Sequence, residues 1–267
     1  MTCFICATCG AQFAERASPP ERCPICEDDR QYVGLEGQRW MTPEELRDER
    51  RNEVRQDAGY LGVGIEPSFA IGQRLLLAET AEGNVIWDMI PLVDDAGLEA
   101  VRARGEVRAI AISHPHYYSG MVEWSRALGG VPILLHQADR EWIMRPDDAI
   151  ELWSGETRDL FGGLTLLRLG GHFAGGTVLH DAQRGTLLAG DIVQVIPDRS
   201  HVSFMWSYPN LVPLPAAEVE RLAGALEPWP FERILGAWWG RLVPAGGNEV
   251  VRRSADRYIA ALERVAG

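Results

Sequence analysis

Two groups of metal-ligating residue types stand out in this chain of 267 residues. All five cysteines fall within the first 26 positions: Cys3, Cys6, Cys9, Cys23 and Cys26. Cys6-x2-Cys9, followed by Gly10, and Cys23-Pro24-Ile25-Cys26 are two matched turns. Each can aim two thiolates at one ion, and four sulfurs enclose a tetrahedral metal. A disulfide framework gives no reason for two equal spacings, and Cys3 is left over as a free thiol. The second group lies far downstream. Ser113-His114-Pro115-His116 follows a near-continuous apolar run, Leu169-Gly170-Gly171-His172 puts a third imidazole on a glycine-rich turn, and Leu188-Ala189-Gly190-Asp191 ends in a carboxylate. Three imidazoles and one carboxylate, each at the end of a strand, suit zinc. Three neutral His leave the ion its full charge and one open position, where a bound water can reach a pKa of about 7 and serve as nucleophile.

Such a set works only if strands from distant parts of the chain end at one place. The run 107–112 reads as a strand buried on both faces, ending in the polar loop 113–120. Apolar stretches at 60–66, 69–79 and 84–90, split by turns such as Glu82-Gly83-Asn84, read as successive antiparallel strands. Further strands are expected at 131–135, 164–169, 176–180 and 186–190, and helices near 94–104, 121–128, 215–226 and 247–265. Thr42-Pro43-Glu44-Glu45 reads as a helix start, with Thr at the N-cap and Pro at the first helical position, and the helix is expected to run to about Val54. Residues 30–40 read as an extended connector. The chain therefore divides into a module with connector, 1–40, and a layered α/β domain, 41–267, with two sheets inside and helices outside.

Composition narrows the function classes. With 46% hydrophobic and 24% charged residues the chain is globular, and at roughly 150 residues per domain it holds one large domain plus an appendage. A net charge of −12, without a basic run, argues against nucleic acid or membrane as partner. No signal-peptide pattern opens the sequence, so a cytoplasmic location is expected. The oligomeric state is open, a homodimer included.

The cysteine segment resembles a zinc ribbon or rubredoxin-like module. The gap between its Cys pairs, residues 10 to 22, suits a small zinc ribbon better than a rubredoxin-type iron site. About residues 55–267 resemble the metallo-β-lactamase fold superfamily, whose pattern is a strand followed by H-x-H-x-D-H, a Gly-His turn, a Gly-Asp strand end and a final His. His114, His116, His172 and Asp191 match it. The resemblance implies a four-layer αββα sandwich and a first metal held by the three matched His. Tyr118 stands where the pattern has Asp, Ser119 where it has the next His, and Trp238 of Gly236-Ala-Trp-Trp-Gly240 aligns with the final His. The residues of a second metal are thus missing. Zinc is the expected cofactor, one ion in the ribbon and at most one in the main site.

Asp191 then becomes either a fourth ligand or a proton acceptor. Tyr117 or Tyr118 could supply a phenolic donor where the second metal would have stabilised an oxyanion, or pack in the core; Tyr118 is taken with Asp191 as catalytic. The insert 197–210 offers Arg199, His201, Trp206 and Tyr208, with Trp238, as candidate contacts to a small-molecule substrate, or else forms an interface. Asp88 resembles a structural Asp that orients the site. His136 and His180 match no ligand position. The leading expectation is a mononuclear zinc hydrolase acting on an ester, lactone, thioester or similar small molecule. A catalytically degraded metal-binding or interaction module is the alternative. Electron transfer, as in rubredoxin-containing flavodiiron proteins, lacks a flavin-binding domain and the extra iron ligands.

Overall fold

The computed structural model describes residues 1–264. Two sheets meet face to face. The first has seven strands in the spatial order Arg51–Asp57, Tyr60–Glu66, Leu75–Thr80, Gly83–Trp87, Val107–Ala111, Ile133–His136 and Ile150–Trp153. It is antiparallel as far as Gly83–Trp87 and parallel beyond. The second has six: Thr157–Asp159, Leu164–Arg168, Thr177–Asp181, Thr186–Gly190, Arg233–Gly236 and Leu242–Val243, with Thr186–Gly190 and Arg233–Gly236 parallel.

The layering follows from the two-residue period of a strand, which sends neighbouring side chains to opposite faces. Leu76, Ala78, Val85, Trp87, Ala109 and Ala111 of the first sheet pack with Leu164, Leu166, Leu179, Leu188 and Leu235 of the second, forming the apolar layer between the sheets. Their neighbours Leu75, Leu77, Ile86 and Ile110 face outward, where Val101 of helix Asp95–Arg102 and Val122 and Trp124 of helix Met121–Ala127 cover them. On the far side Val178, Leu187, Ala189 and Ile234 pack beneath helices Ala216–Leu226 and Gly247–Glu263. Both sheets are thus covered on both faces, giving the order αββα.

Several expected boundaries move. The helix opening at Thr42 has its capping box, with the Thr42 side chain accepting from Glu45 N and the Glu45 side chain from Thr42 N, but it ends at Glu49 instead of running to Val54. Arg51–Asp57 pairs along its whole length with Tyr60–Glu66 through a tight turn at Ala58 and Gly59, both at positive φ. Seven residues of ladder outweigh continuation of a helix that buries only Leu46. The stretch expected as a strand from residue 69 begins as a turn, Gly72 N donating to Phe69 O, and the strand starts at Leu75. The strands Ile150–Trp153 and Thr157–Asp159 were not expected, because each carries charged residues and flanks a sheet. The last helix ends at Glu263, and the expected extension to 265 lies outside the described residues.

The N-terminal module is built into the domain. Its strand Ile5–Cys6 pairs with Trp40–Met41, so the expected division after residue 40 falls within a pairing that the module uses. Cys6, Cys9, Ala11, Phe13, Cys23, Ile25 and Cys26 form its core with Trp40, and Trp142 and Met144 of the main domain close that core. Ile5 packs separately with Leu46, Phe69 and Leu92. So small a module has too little apolar interior of its own. No helix among the described residues is long and apolar enough to cross a membrane.

Candidate metal centre

Four strand ends converge to build the site. Asp88, at the end of Gly83–Trp87 and in the left-handed region at φ 58°, accepts the Ser113 N–H through Oδ1 at 2.8 Å. This ties the loop after Val107–Ala111 to its neighbour, and Ser113 Oγ in turn lies 3.0 Å from His114 Nδ1. The 3-10 turn Pro115–Tyr117 then carries His116 and Tyr117. His172 stands on the glycine loop before Thr177–Asp181, and its Nδ1–H donates to the Trp206 carbonyl at 2.6 Å. Asp191 follows Gly190, where a Cβ would lie 2.9 Å from Ser113 Oγ and 3.2 Å from Asp88 Oδ2. Only glycine lets the second sheet approach this closely, and its φ of 55° adds the same demand.

One donor atom each from His114, His116, His172 and Asp191 lies within 4.8 Å of the others. All four residues are buried. His114 Nε2 is 3.3 Å from Asp191 Oδ1, and His172 Nε2 is 3.2 Å from His116 Nδ1. His114 Nε2, His116 Nε2 and Asp191 Oδ1 have no hydrogen-bond partner among the described residues. An orphaned buried polar atom costs about 1–3 kcal/mol, so the two that face each other at 3.3 Å, His114 Nε2 and Asp191 Oδ1, call for a ligand. Because His172 spends its Nδ1 proton on a carbonyl, its Nε2 lone pair is free to meet a cation. Burial pushes the pKa of His114 and His116 well below the ordinary imidazole value, and that of His172 to about 4, leaving three neutral imidazoles. Burial, then the Asp88 carboxylate, raise Asp191 to about 7. The donor set fits a divalent cation, which would favour the ionised carboxylate that burial disfavours.

Other expected residues divide. Tyr117 is fully buried, its ring 4.6 Å from that of His114. Its phenol is raised well above the usual range by burial and then by Asp191. The phenol beside Asp191 is therefore that of Tyr117, whereas Tyr118, expected as the catalytic phenol, points elsewhere. One residue beyond the 3-10 turn, Tyr118 passes its carbonyl to Gln12 of the module, and the charge acting on its phenol is that of Asp139. Tyr208 lies at the site, its OH donating to the Asp191 carbonyl at 2.6 Å and its ring 5.5 Å from His172. Trp206 holds His172 through its backbone.

Among the described residues neither Arg199 nor His201 bonds to a residue of this centre. They lie in an exposed turn where His201 pairs with Asp198 and Ser200, and Arg253 of the last helix binds the Ser200 carbonyl. Trp238 spends its indole N–H on Ile71 O at 2.7 Å and packs against the outer face of the first sheet. Ser119 directs its hydroxyl to the Tyr117 carbonyl. His136 and His180 bind the carbonyls of Gly155 and Pro230 and serve structure.

A residue that sequence reasoning placed in the connector belongs to the site. The Arg30 guanidinium lies 3.8 Å from the centre of the Phe173 ring and 4.7 Å from that of Trp206, and its Nη1 donates to the His172 carbonyl at 3.3 Å. Asp28 neutralises it through two hydrogen bonds. The one signal available was the Asp-x-Arg spacing directly after the second cysteine pair.

The four cysteines form the second group. Cys6 and Cys26 Sγ are 3.5 Å apart, Cys9 and Cys23 3.8 Å, far beyond a disulfide bond of about 2.05 Å. All are buried and all four sulfurs lie within 4.8 Å of one another. Gln38 Nε2 donates to Cys6 Sγ at 3.0 Å. Hydrogen bonds from the neighbouring thiols, that of Cys23 foremost, pull the Cys6 pKa down toward the thiolate. Cys3 is outside the cluster, buried, with its thiol pKa raised by that burial.

No family model matches the chain. It is 45% identical to the uncharacterized protein YmaE of Bacillus subtilis (strain 168), over 98% of this chain and 97% of that one. Among solved structures it superimposes on VMB-1 with a TM-score of 0.61 at 12% identity, covering 79% of this chain and 98% of that one. The chain belongs to the YmaE family and has the metallo-β-lactamase fold. The metallo-β-lactamase FIM-1 of Pseudomonas aeruginosa in its mono-zinc form is similar with a TM-score of 0.57 at 14% identity, covering 78% and 96%. The metallo-β-lactamase of Hirschia baltica follows at 0.53 and 19%, covering 78% and 97%. This YmaE-family chain adds the four-cysteine module at the N-terminal edge of that fold and keeps two clusters able to hold metal.

Proposed function

We propose that this YmaE-family protein is a mononuclear zinc hydrolase acting on a small ester, lactone or thioester, with a second, structural zinc on Cys6, Cys9, Cys23 and Cys26. The observation that carries the reading is the convergence of three imidazoles and Asp191 within 4.8 Å, with buried donor atoms that nothing else satisfies. His114, His116 and His172 would hold the catalytic ion, with Asp191 beside them. When bound, the ion would supply Lewis acidity at neutral pH.

The chain's own residues supply the rest. Ser113 and the Trp206 carbonyl orient two of the imidazoles. Asp191 would offer one carboxylate oxygen to the ion and has a second that can accept a proton. Tyr117 stays protonated at neutral pH and can donate toward negative charge developing on the substrate. Phe173 and Tyr208 set their rings against His172, and such a buried, apolar wall would strengthen these interactions by excluding water.

The test is elemental analysis of the purified protein together with a panel of ester, lactone and thioester substrates, repeated on His114→Ala. Two zinc ions per chain and a turnover that His114→Ala abolishes support the hydrolase. A second reading, a fold that keeps its metals without turnover, is favoured by the near-complete burial of all four ligands beneath Arg30. Protein that holds both metals and hydrolyses no member of the panel would decide for it.

A further inference from the structure

The Cys cluster and the His/Asp centre are joined by a very short piece of chain. Cys26 lies in the one-turn helix Pro24–Glu27, and Arg30 follows four residues later. Between them Asp28 N donates to Pro24 O and Gln31 N to Asp28 O, so the segment is a continuous set of turns. Its tip is gripped from outside by Asn210, whose side-chain amide donates to the carbonyls of Asp29 and Gln31 at 3.0 and 2.9 Å. From this tip the Arg30 side chain enters a box of three aromatic rings, Phe173, Trp206 and Trp142, the last at 5.1 Å.

Arg30 also forms a partition. A cleft of about 710 Å³ is lined by Arg30, Arg168, Gly170, Gly171, Trp206 and Arg221 among others. His172 lies directly behind that lining, bonded to Arg30 through its carbonyl and to Trp206 through its ring. A molecule seated in the cleft therefore touches Arg30 and Trp206, the two residues bonded to His172, and none of the imidazoles. A bare guanidinium beside a divalent cation would be repelled, and the bidentate pair with Asp28 removes that cost, so the partition can close without opposing the metal.

We propose that Arg30 gates the passage between this cleft and the metal centre, and that the ion held by the four cysteines sets the gate. A four-residue helix has no stability of its own. Its register is fixed by Cys23 and Cys26, whose sulfurs share one point with those of Cys6 and Cys9. With an ion on the sulfurs, Asp28 and Arg30 are presented to the aromatic box. Without one, the turn is left to the two Asn210 hydrogen bonds alone, and the guanidinium leaves Phe173 and the His172 carbonyl. The gate rests on the hydrolase reading for its purpose, since it admits substrate, but not for its test.

The test is amide hydrogen exchange on the full-length, metal-loaded protein. In the loop behind the gate, Gly170 N and Gly176 N are bonded within the loop and Gly175 N donates to Asp139 Oδ1. In the module, Gly10 N donates to Cys6 O and Cys26 N to Cys23 O. Arg30→Ala should raise exchange across 170–176 by about tenfold or more while the module amides keep their protection. Arg30→Lys, which keeps the charge but not the two-point pair with Asp28, should fall between. Cys23→Ser should speed both segments, with the strand 186–190 still protected as proof that the domain is folded. Stripping the thiolate-bound ion from the unmutated protein should reproduce the Cys23→Ser pattern. Exchange at 170–176 that stays within about twofold of the parent in Arg30→Ala, or that stays slow when the module is loosened, would overturn the gate. Either result can be read whether or not any ester is turned over.

Discussion

The Nε2 of His114 and the Oδ1 of Asp191 stand 3.3 Å apart, both buried, and neither makes a hydrogen bond among the described residues. Two strands from different sheets have brought a lone pair and a carboxylate oxygen together and left them unsatisfied, an arrangement that pays only when a cation joins them. Asp191→Asn keeps the shape and removes the charge. It should weaken metal at this centre by about a hundredfold or more, a larger loss than removal of a supporting group causes. The metal-free variant should melt no lower than the parent, because burial already penalises the ionised carboxylate. Dialysis followed by elemental analysis should leave only the ion on the cysteines, and full retention of two would refute the assignment.

Ser113 is the link between Asp88 and His114, donating its N–H to the carboxylate and placing its hydroxyl 3.0 Å from the imidazole. Ser113→Ala removes only the second contact. Metal affinity should fall by about 10–100-fold while circular dichroism stays unchanged. Competition with a metal-binding dye gives the number.

Adjacent tyrosines allow a sharp comparison. Tyr117→Phe deletes the phenol beside Asp191 and should lower kcat by about a hundredfold or more, with little change in stability, since the hydroxyl makes no well-formed hydrogen bond among the described residues. Tyr118→Phe should leave kcat near the parent value. Steady-state kinetics on any substrate the panel reveals would test both, and equal losses would return the catalytic role to Tyr118.

Asp139 carries a pH signature outside the metal ligands. It is buried, with Oδ1 accepting from Gly175 N and Oδ2 unpartnered, and burial raises its pKa to about 6 from the ordinary 3.8. A raised folded-state value means that the folded protein holds this proton more tightly. The contribution is complete below about pH 4 and is lost as pH rises through 6, a change of about 3 kcal/mol at most. Asp139→Asn abolishes that slope. Urea midpoints should therefore shift in favour of the variant between pH 4.5 and 7.5, and parallel curves for the two proteins would exclude a buried, proton-holding Asp139.

Strand ends were more legible than the rims around them. His114, His116, His172 and Asp191 each close an apolar run, and a run that ends in a ligand type carries its meaning locally. Tyr118 and Tyr117 could not be ranked that way, because their directions depend on a single 3-10 turn that only coordinates reveal. The insert 197–210 offered several aromatic and cationic side chains in a row, and its folding against Asp191 on one side and the last helix on the other sorted Trp206 and Tyr208 from Arg199 and His201.

By itself the amino-acid sequence determined two groups of metal-ligating residue types and the alternation that stacks two sheets between helices. These are matters of residue type and short spacing, which are properties of the chain before it folds. Only the tertiary structure decided that Arg30, 142 positions from His172, lies against its carbonyl, and that Trp142 and Met144 complete the core of the cysteine module. Contacts of that range depend on how separate elements dock. Their energies come from buried area and desolvated charge, which no local pattern along the chain encodes.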